Sequence, residues 1–104
     1  MQFLLKPDTL LVTLLNVIKN FTHKGLKRLY EKGNISGIQS KHKIRLRRIL
    51  ALLATSSTVI DMNLPGLNLH ELKGNMAGTW SVKVSGNWRL TFKIESDDVH
   101  DIDY

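Results

Sequence analysis

Three side chains in the C-terminal half combine the chemistry that cleavage of a phosphodiester requires. His70 and Lys73 stand in the run His-Glu-Leu-Lys-Gly, and Arg89 stands in Asn-Trp-Arg. Arginine binds phosphate oxygens in a bidentate manner, and histidine transfers protons near neutral pH. Metal-free RNA cleavage needs a base for the 2′-hydroxyl, cations for the phosphorane and an acid for the leaving 5′ oxygen. The alternative is that Arg89 and Lys93 are solvated on a polar strand face and that His70, beside Leu69, is a partly buried surface residue.

A second group of basic side chains lies on the strongest predicted helix. Residues 18–54 carry ten basic residues and one acid, whereas residues 55–104 carry four basic and seven acidic residues. We interpret the helix face as a contact for RNA phosphates whose affinity falls with salt. The alternative is a solvated amphipathic helix. The basic residues concerned are Lys41, Lys43, Arg45, Arg47 and Arg48.

Composition limits the remaining function classes. The chain has 104 residues, a net charge of +6 and no cysteine, which indicates one basic domain without disulfides or thiolate zinc ligands. The histidines lack metal-ligand spacing and no phosphate-binding glycine loop is present, so neither a metal nor a cofactor is predicted. The apolar run from Leu10 to Ile18 is too short for a membrane span and does not resemble a signal peptide, which predicts a cytoplasmic protein.

The helices required to position these residues are predicted early in the chain. The spacing predicts a helix over 23–32 ended by Gly33, and a helix over 41–54. The apolar stripe of the second helix is Leu46, Ile49, Leu50 and Leu53. Further elements are a helix starting at Asp8, a short strand over 18–21 and a helical turn over 58–62.

Strands are predicted in the second half. Residues 79–84 and 88–94 alternate apolar and polar side chains around a turn at 85–87, which predicts a β-hairpin. Residues 67–72 and 99–104 are further strand candidates. Trp80 and Trp88 fall in phase with aliphatic neighbours and are predicted to lie in the core rather than to stack on bases. Helices followed by antiparallel strands indicate an α+β domain.

Several motifs in order give the chain a family resemblance. It resembles the HigB, or plasmid maintenance killer, toxins of the RelE/ParE superfamily of type II toxin–antitoxin modules. The resemblance covers about residues 18–104. The runs that carry it are Ile18–Leu26, Arg47–Leu50, Asp61–Gly66, Leu69–Gly74, Gly78–Val82 and Gly86–Phe92.

The resemblance implies a RelE-like fold with two helices on a small curved, mainly antiparallel sheet. It implies a ribosome-dependent mRNA endonuclease that inhibits translation by cleaving A-site codons. It also implies neutralisation by a helix-turn-helix, HigA-like antitoxin, whose complex sets the oligomeric state. By motif, His70 and Lys73 correspond to proton transfer and phosphate stabilisation, and Arg89 to a phosphate or transition-state contact.

Two departures from the family pattern give further expectations. Residues 1–17 precede the usual start, which predicts either an extra helix or a start codon misassigned upstream of Val17. Relatives continue to a Tyr-His pair that helps catalysis, whereas this chain ends at Tyr104. Catalysis is then expected to be impaired unless Tyr104 and His100 substitute. The alternatives are therefore an inactive toxin domain that binds antitoxin and RNA, or a ParE-like gyrase inhibitor on the same fold.

Overall fold

The computed structural model describes residues 18–56, 58–95 and 98–104. Two α-helices come first in these ranges and an antiparallel sheet of four strands follows. The predicted extension over 1–17 and the helix from Asp8 lie outside the described residues. None of the described helices has the length and apolar character needed to cross a bilayer.

Helix α1, Lys24–Lys32, has defined stops at both ends. The His23 imidazole accepts a hydrogen bond from the Leu26 amide at 3.1 Å and so caps the first turn. Gly33 ends the helix in the left-handed conformation with φ 69°, and its amide donates to the Leu29 carbonyl at 2.9 Å. The predicted helix over 23–32 with Gly33 as its stop is confirmed.

Helix α2, Lys43–Ala54, follows a 3₁₀ turn over Ser40–His42. The predicted helix over 41–54 is therefore confirmed except for its first turn. Its four predicted apolar positions are all buried at Leu46, Ile49, Leu50 and Leu53. A second 3₁₀ turn, Val59–Met62, matches the predicted helical turn and carries a capping box between Thr58 and Asp61.

The strands are β1 His70–Glu71, β2 Trp80–Ser85, β3 Trp88–Glu95 and β4 Asp98–Asp103. They lie in the order β1-β2-β3-β4, and each neighbouring pair is antiparallel. The predicted hairpin and last strand are confirmed. The strand predicted over 67–72 shortens to His70–Glu71 because Asn68, at φ 49°, interrupts the extended backbone before it.

The segment predicted as a strand over 18–21 forms two isolated parallel bridges to β4. Ile18 pairs with Val99 and Phe21 with Ile102. The Lys19 amide donates to the Val99 carbonyl at 2.7 Å. This segment covers the outer edge of β4 and leads directly into α1.

The sheet has one apolar face and one polar face. Val82, Leu90 and Phe92 are fully buried and join one cluster with the apolar stripes of α1 and α2. Each such side chain contributes about 1.5–3 kcal/mol by leaving water. The alternate positions Ser81, Arg89, Thr91 and Lys93 therefore lie on the opposite face, which we call the open face. The α+β prediction with two helices on one side of a sheet is confirmed.

Gly25 allows the start of α1 to approach the loop before α2. A Cβ atom at Gly25 would lie 2.2 Å from the Gly37 carbonyl oxygen, a distance that no side chain tolerates. The close contact holds the loop over 36–39 against α1. The same loop leads into His42, so this packing places His42 as well.

Candidate active site

Arg89 is held on the open face by a set of short contacts. Its Nε donates to the Ser81 hydroxyl at 2.5 Å. Its Nη2 lies 3.1 Å from the Asn68 carbonyl oxygen and 3.1 Å from Nδ1 of His70. Ser81 is fully buried, so its hydroxyl gives the guanidinium a rigid support. Among the described residues these contacts use Nε and Nη2, so the Nη1 amino group can bind an anion.

The Asn68 carbonyl oxygen connects Arg89 with His70. It lies within 3.2 Å of His70 Nδ1 as well as 3.1 Å from the guanidinium. Asn68 has φ 49°, a left-handed conformation that asparagine tolerates better than most residues. This conformation ends the extended run before β1 and directs the carbonyl toward both side chains.

His70 is exposed at the start of β1, and its Nδ1 faces two competing partners. A protonated Nδ1 donates to the Asn68 carbonyl, whereas an unprotonated Nδ1 accepts from Arg89. One nitrogen cannot do both, so the two contacts belong to two tautomers. In the first, Nε2 carries the lone pair of a base; in the second, Nε2 carries a proton. The first tautomer therefore supplies the Nε2 lone pair that a general base uses.

Lys73 lies on the connection between β1 and β2 and is exposed. The base of this connection is closed by the Leu72 amide, which donates to the Thr79 carbonyl at 2.8 Å. The Glu71 carboxylate also accepts from the Gly78 amide at 2.8 Å. Within the described residues, no contact ties the ammonium group of Lys73 to Arg89 or His70. The loop is anchored, while its cation is free to reach a bound anion.

A polar row crosses the open face at the level of His70. The strand register pairs His70 with Ser81, Ser81 with Thr91, and Thr91 with Asp103. Thr91 and Asp103 line an open cleft of about 390 Å³ together with Lys93. Sequence reasoning missed Asp103. Strict alternation along β4 would place it on the same face as buried Val99, but a bulge near Asp101, at φ 55°, reverses the phase.

Tyr104 belongs to a different cluster, made of aromatic rings. Its hydroxyl oxygen lies 2.5 Å from Nδ1 of His42. Its ring packs against Trp88 with centroids 5.0 Å apart, and His23 meets it edge-on at 5.3 Å. We call His23, His42, Trp88 and Tyr104 the aromatic cluster. It lies where the starts of α1 and α2 meet the beginning of β3.

Burial keeps the two hydrogen-bonded groups of this cluster uncharged. Desolvation lowers the pKa of His42, and the positive charge of Lys41 lowers it further. Desolvation raises the pKa of Tyr104, and a backbone hydrogen bond from Gln39 partly opposes that shift. At neutral pH the pair is therefore a neutral imidazole beside a neutral phenol.

The structure does not bring all four predicted catalytic side chains into contact. His70 and Arg89 touch, whereas no described contact joins Tyr104 to either of them. Trp88 and Arg89 are consecutive residues whose side chains leave β3 on opposite faces. The aromatic cluster and the His70–Arg89 pair therefore flank the same end of β3.

The two tryptophans differ in burial. Trp80 is half-buried and packs against the core, as predicted. The core prediction for Trp88 is wrong, because 41% of this residue is exposed. It is the first residue of β3, at the hairpin end of the sheet, where the aromatic cluster rather than the core covers its ring.

The predicted RNA-binding side chains lie in different environments. Lys41, Arg47 and Arg48 are exposed and Lys43 is half-buried. Arg45 is also half-buried, and its Nη2 donates to the carbonyl oxygens of Gly66 and Lys83 at 2.7 and 3.1 Å. Arg45 thus links α2 to the loop before β1 and to the end of β2. Its guanidinium is engaged within the fold.

His100, the predicted substitute for a missing histidine, lies in an ion-pair group. Its Nε2 is 2.7 Å from a Glu95 carboxylate oxygen, and its Nδ1 is 3.6 Å from Asp101. It pairs with Lys93 across the strands and not with Tyr104. Among the described residues, no group of three potential ligands could hold a metal ion.

Comparison with known proteins gives this arrangement a family. Residues 19–104 match the family described as RelE-like toxin of type II toxin-antitoxin system HigB. The chain belongs to this family. It is also 39% identical over 88 residues to a protein named Endoribonuclease HigB from Proteus vulgaris, covering 85% of this chain and 96% of that relative.

Family membership confirms the expected resemblance to HigB toxins and agrees with the observed helices and sheet. Because the family is the toxin component of a two-protein system, it implies an antitoxin as a partner. The relative's name supports an RNA-cleaving activity. The matched residues include His70, Lys73, Arg89 and Tyr104.

Proposed function

We propose that this HigB-like toxin is a ribosome-dependent endoribonuclease that cleaves mRNA at A-site codons without a metal ion. A helix-turn-helix antitoxin of the HigA type would neutralise it, and its site of action would be the cytoplasm, where ribosomes are. The observation that carries the proposal is the anchored Arg89 guanidinium beside exposed His70, with Nη1 left over for a phosphate. Family membership and the name of the relative support the RNA substrate.

In the first step, Nε2 of His70 removes the proton from the 2′-hydroxyl of the target nucleotide. That oxygen attacks the adjacent phosphorus, and Nη1 of Arg89 and the ammonium group of Lys73 stabilise the negative charge that develops on the phosphorane oxygens. The tautomer with Nδ1–H donating to Asn68 leaves the lone pair on Nε2 for this step. The bond from His70 to Asn68 also stabilises the imidazolium that forms.

In the second step, the Tyr104 hydroxyl protonates the 5′ oxygen as its bond to phosphorus breaks. The products are a 2′,3′-cyclic phosphate and a free 5′-hydroxyl. His70 has gained one proton and Tyr104 has lost one, so transfer through solvent restores both. Tyrosine is a weak acid, but a departing alkoxide is a far stronger base than a phenolate.

The separation of the two clusters supports a role for the ribosome. The His70–Arg89 pair and the aromatic cluster flank the first residues of β3 and do not touch each other. Both clusters must act on the same phosphorus atom, so the scissile phosphate would have to sit at this end of the sheet, between the two clusters, and the ribosome would hold it there. We assign exposed Lys41, Arg47 and Arg48 to RNA phosphates, with Lys43 beside them, whereas Arg45 serves mainly to hold the fold.

The test uses purified toxin with ribosomes programmed with a defined mRNA. We expect cleavage in the A-site codon and a cyclic phosphate on the 5′ fragment. His70→Ala removes the base and should slow cleavage by about 10²–10⁴-fold. Arg89→Ala should act similarly through the loss of charge stabilisation. His100→Asn serves as the matched control, because His100 lies among carboxylates and away from both clusters.

Several results would contradict the proposal. Cleavage by His70→Ala at the wild-type rate would exclude His70 as the base. Cleavage of naked and ribosome-bound mRNA at equal rates would exclude ribosome dependence. Intact mRNA together with inhibition of DNA supercoiling would favour gyrase as the target instead.

A further inference from the structure

His42 is a buried histidine whose side chain is not used in capping. Only 2% of it is exposed, and it occupies the N-cap position of α2 without forming a side-chain cap bond. The His23 side chain, by contrast, caps α1 by accepting a hydrogen bond from the Leu26 amide. The side chain of His42 hydrogen-bonds with the Tyr104 hydroxyl at 2.5 Å, and among the described residues its buried Nε2 has no partner.

The unpartnered Nε2 indicates which atom donates in the bond to Tyr104. If the phenol donated to Nδ1, the imidazole proton would sit on Nε2 as a buried N–H without an acceptor. If Nδ1 carries the proton, Nε2 is only an unpaired acceptor. Orphaned buried N–H groups are rarer than under-satisfied acceptors. The arrangement therefore favours Nδ1–H as the donor and the Tyr104 oxygen as the acceptor.

Gln39 and Tyr104 line the same open cavity, together with Trp88 and His23. The loop that carries Gln39 is held against α1 by the close approach of Gly25 to Gly37. Because Nδ1–H of His42 donates to the Tyr104 oxygen, the phenol proton is not used in that bond and is available to a group bound in this cavity.

We propose that His42 is a positioning residue that holds Tyr104 with its proton available to the RNA and stabilises the phenolate formed when that proton leaves. This inference rests on the proposed function, in which Tyr104 protonates the leaving 5′ oxygen. The His42 N–H acts as the donor of an oxyanion hole does, because it is fixed in place before the charge develops.

The first arm of the test measures Tyr104 without any RNA. The sequence has two tyrosines, so Tyr30→Phe leaves Tyr104 as the sole phenol. Phenolate absorbance is titrated in this parent and in His42→Leu and His42→Asn, with circular dichroism defining the pH range in which each stays folded. If His42 donates, His42→Leu raises the pKa of Tyr104 further, whereas His42→Asn, whose amide sits near the place of Nδ1, keeps it close to the parent value.

The second arm measures cleavage of ribosome-bound mRNA by the same proteins. Loss of one donor to the developing phenolate should lower kcat by about 10- to 100-fold in His42→Leu, with KM little changed. His42→Asn should recover most of that loss. If His42 only filled space, His42→Leu should cleave mRNA better than His42→Asn, because leucine fills the apolar site without an unpaired polar group. His100→Asn, an imidazole loss on the strand that leads to Tyr104, should alter neither readout.

A fall in the pKa of Tyr104 in His42→Leu would overturn the inference, since it would show that the phenol donates to His42. Parent-like cleavage by folded His42→Leu would overturn it as well. The two arms separate this inference from the proposed function. If the parent protein leaves mRNA intact, the proposed function is wrong and His42 has no role in catalysis. The direction of the shift in the pKa of Tyr104 would still show whether His42 or Tyr104 donates the hydrogen bond.

Discussion

Replacing Ser81 by alanine tests whether the orientation of Arg89 matters for catalysis. The Ser81 hydroxyl is fully buried and accepts from Nε of Arg89 at 2.5 Å. A hydrogen bond to a charged group contributes about 1.5–3 kcal/mol. The variant keeps the Arg89 contacts to Asn68 and His70, so the guanidinium stays in place but gains freedom to tilt.

The expected loss of activity follows from this energy. If about half of a 2–3 kcal/mol contribution is realised only with the phosphorane bound, cleavage falls roughly 5- to 10-fold, since about 1.4 kcal/mol corresponds to tenfold in rate. The same change lowers the free energy of unfolding by a similar amount. A domain with a stability of about 5 kcal/mol would then still be about 99% folded, so unfolding cannot account for the loss.

The assay is single-turnover cleavage of ribosome-bound mRNA, combined with urea denaturation of each protein. Ser85→Ala is the matched control, because it makes the same chemical change at the exposed end of the same strand. A stability loss in Ser81→Ala with an unchanged cleavage rate would refute the reasoning. It would mean that Arg89 reaches the phosphate equally well without its support.

Four further predictions concern other residues of the protein. The folded-state pKa of His42 lies below its usual 6.5, so the unfolded chain binds more protons between these two values. The contribution of His42 to the free energy of unfolding should be fully present above about pH 6.5 and should decrease as the pH falls toward the folded-state pKa. Urea denaturation midpoints measured across this pH range should show the decrease. An equal pH dependence in His42→Leu would contradict the prediction. Arg45→Ala should lower stability by about 1–3 kcal/mol with little change in the salt dependence of RNA binding. Arg48→Ala should keep the melting temperature and reduce the salt slope by about one, and the reverse pattern would contradict both assignments. Asn68→Gly should keep cleavage by preserving the positive φ, whereas Asn68→Val should slow it about tenfold, because a β-branched residue resists that conformation and moves the carbonyl that holds Arg89.

The local elements were predictable because their causes are local. The apolar stripe of α2 lies at helical spacing, Gly33 supplies the left-handed stop of α1, and strict alternation marks β2 and β3. The same alternation correctly predicted that Arg89 would project away from Leu90 and Phe92. The motif runs then provided the family resemblance, which the comparison confirmed.

The sequence prediction was wrong or incomplete where the position of a residue depends on neighbours distant in sequence. Trp88 is in phase with the core residues of β3, yet 41% of it is exposed, because it is the first residue of the strand and packs against His42 and Tyr104 rather than the core. A bulge near Asp101 displaces Asp103 from its expected face. Arg45 belongs to a basic run, but its guanidinium reaches carbonyl groups on a loop and a strand that only folding brings near.

The sequence by itself determined the fold class, the two helices, the central hairpin and the residue types able to act on a phosphodiester. These follow from hydrophobic periodicity and turn chemistry, which operate over a few residues. Only the tertiary structure decided which of those residues meet. The bond between His42 and Tyr104 joins residues 62 positions apart, and the contact between His70 and Arg89 joins residues 19 apart. Hydrogen bonds act over about 3 Å, so packing of the helices and register of the strands must first bring such groups together.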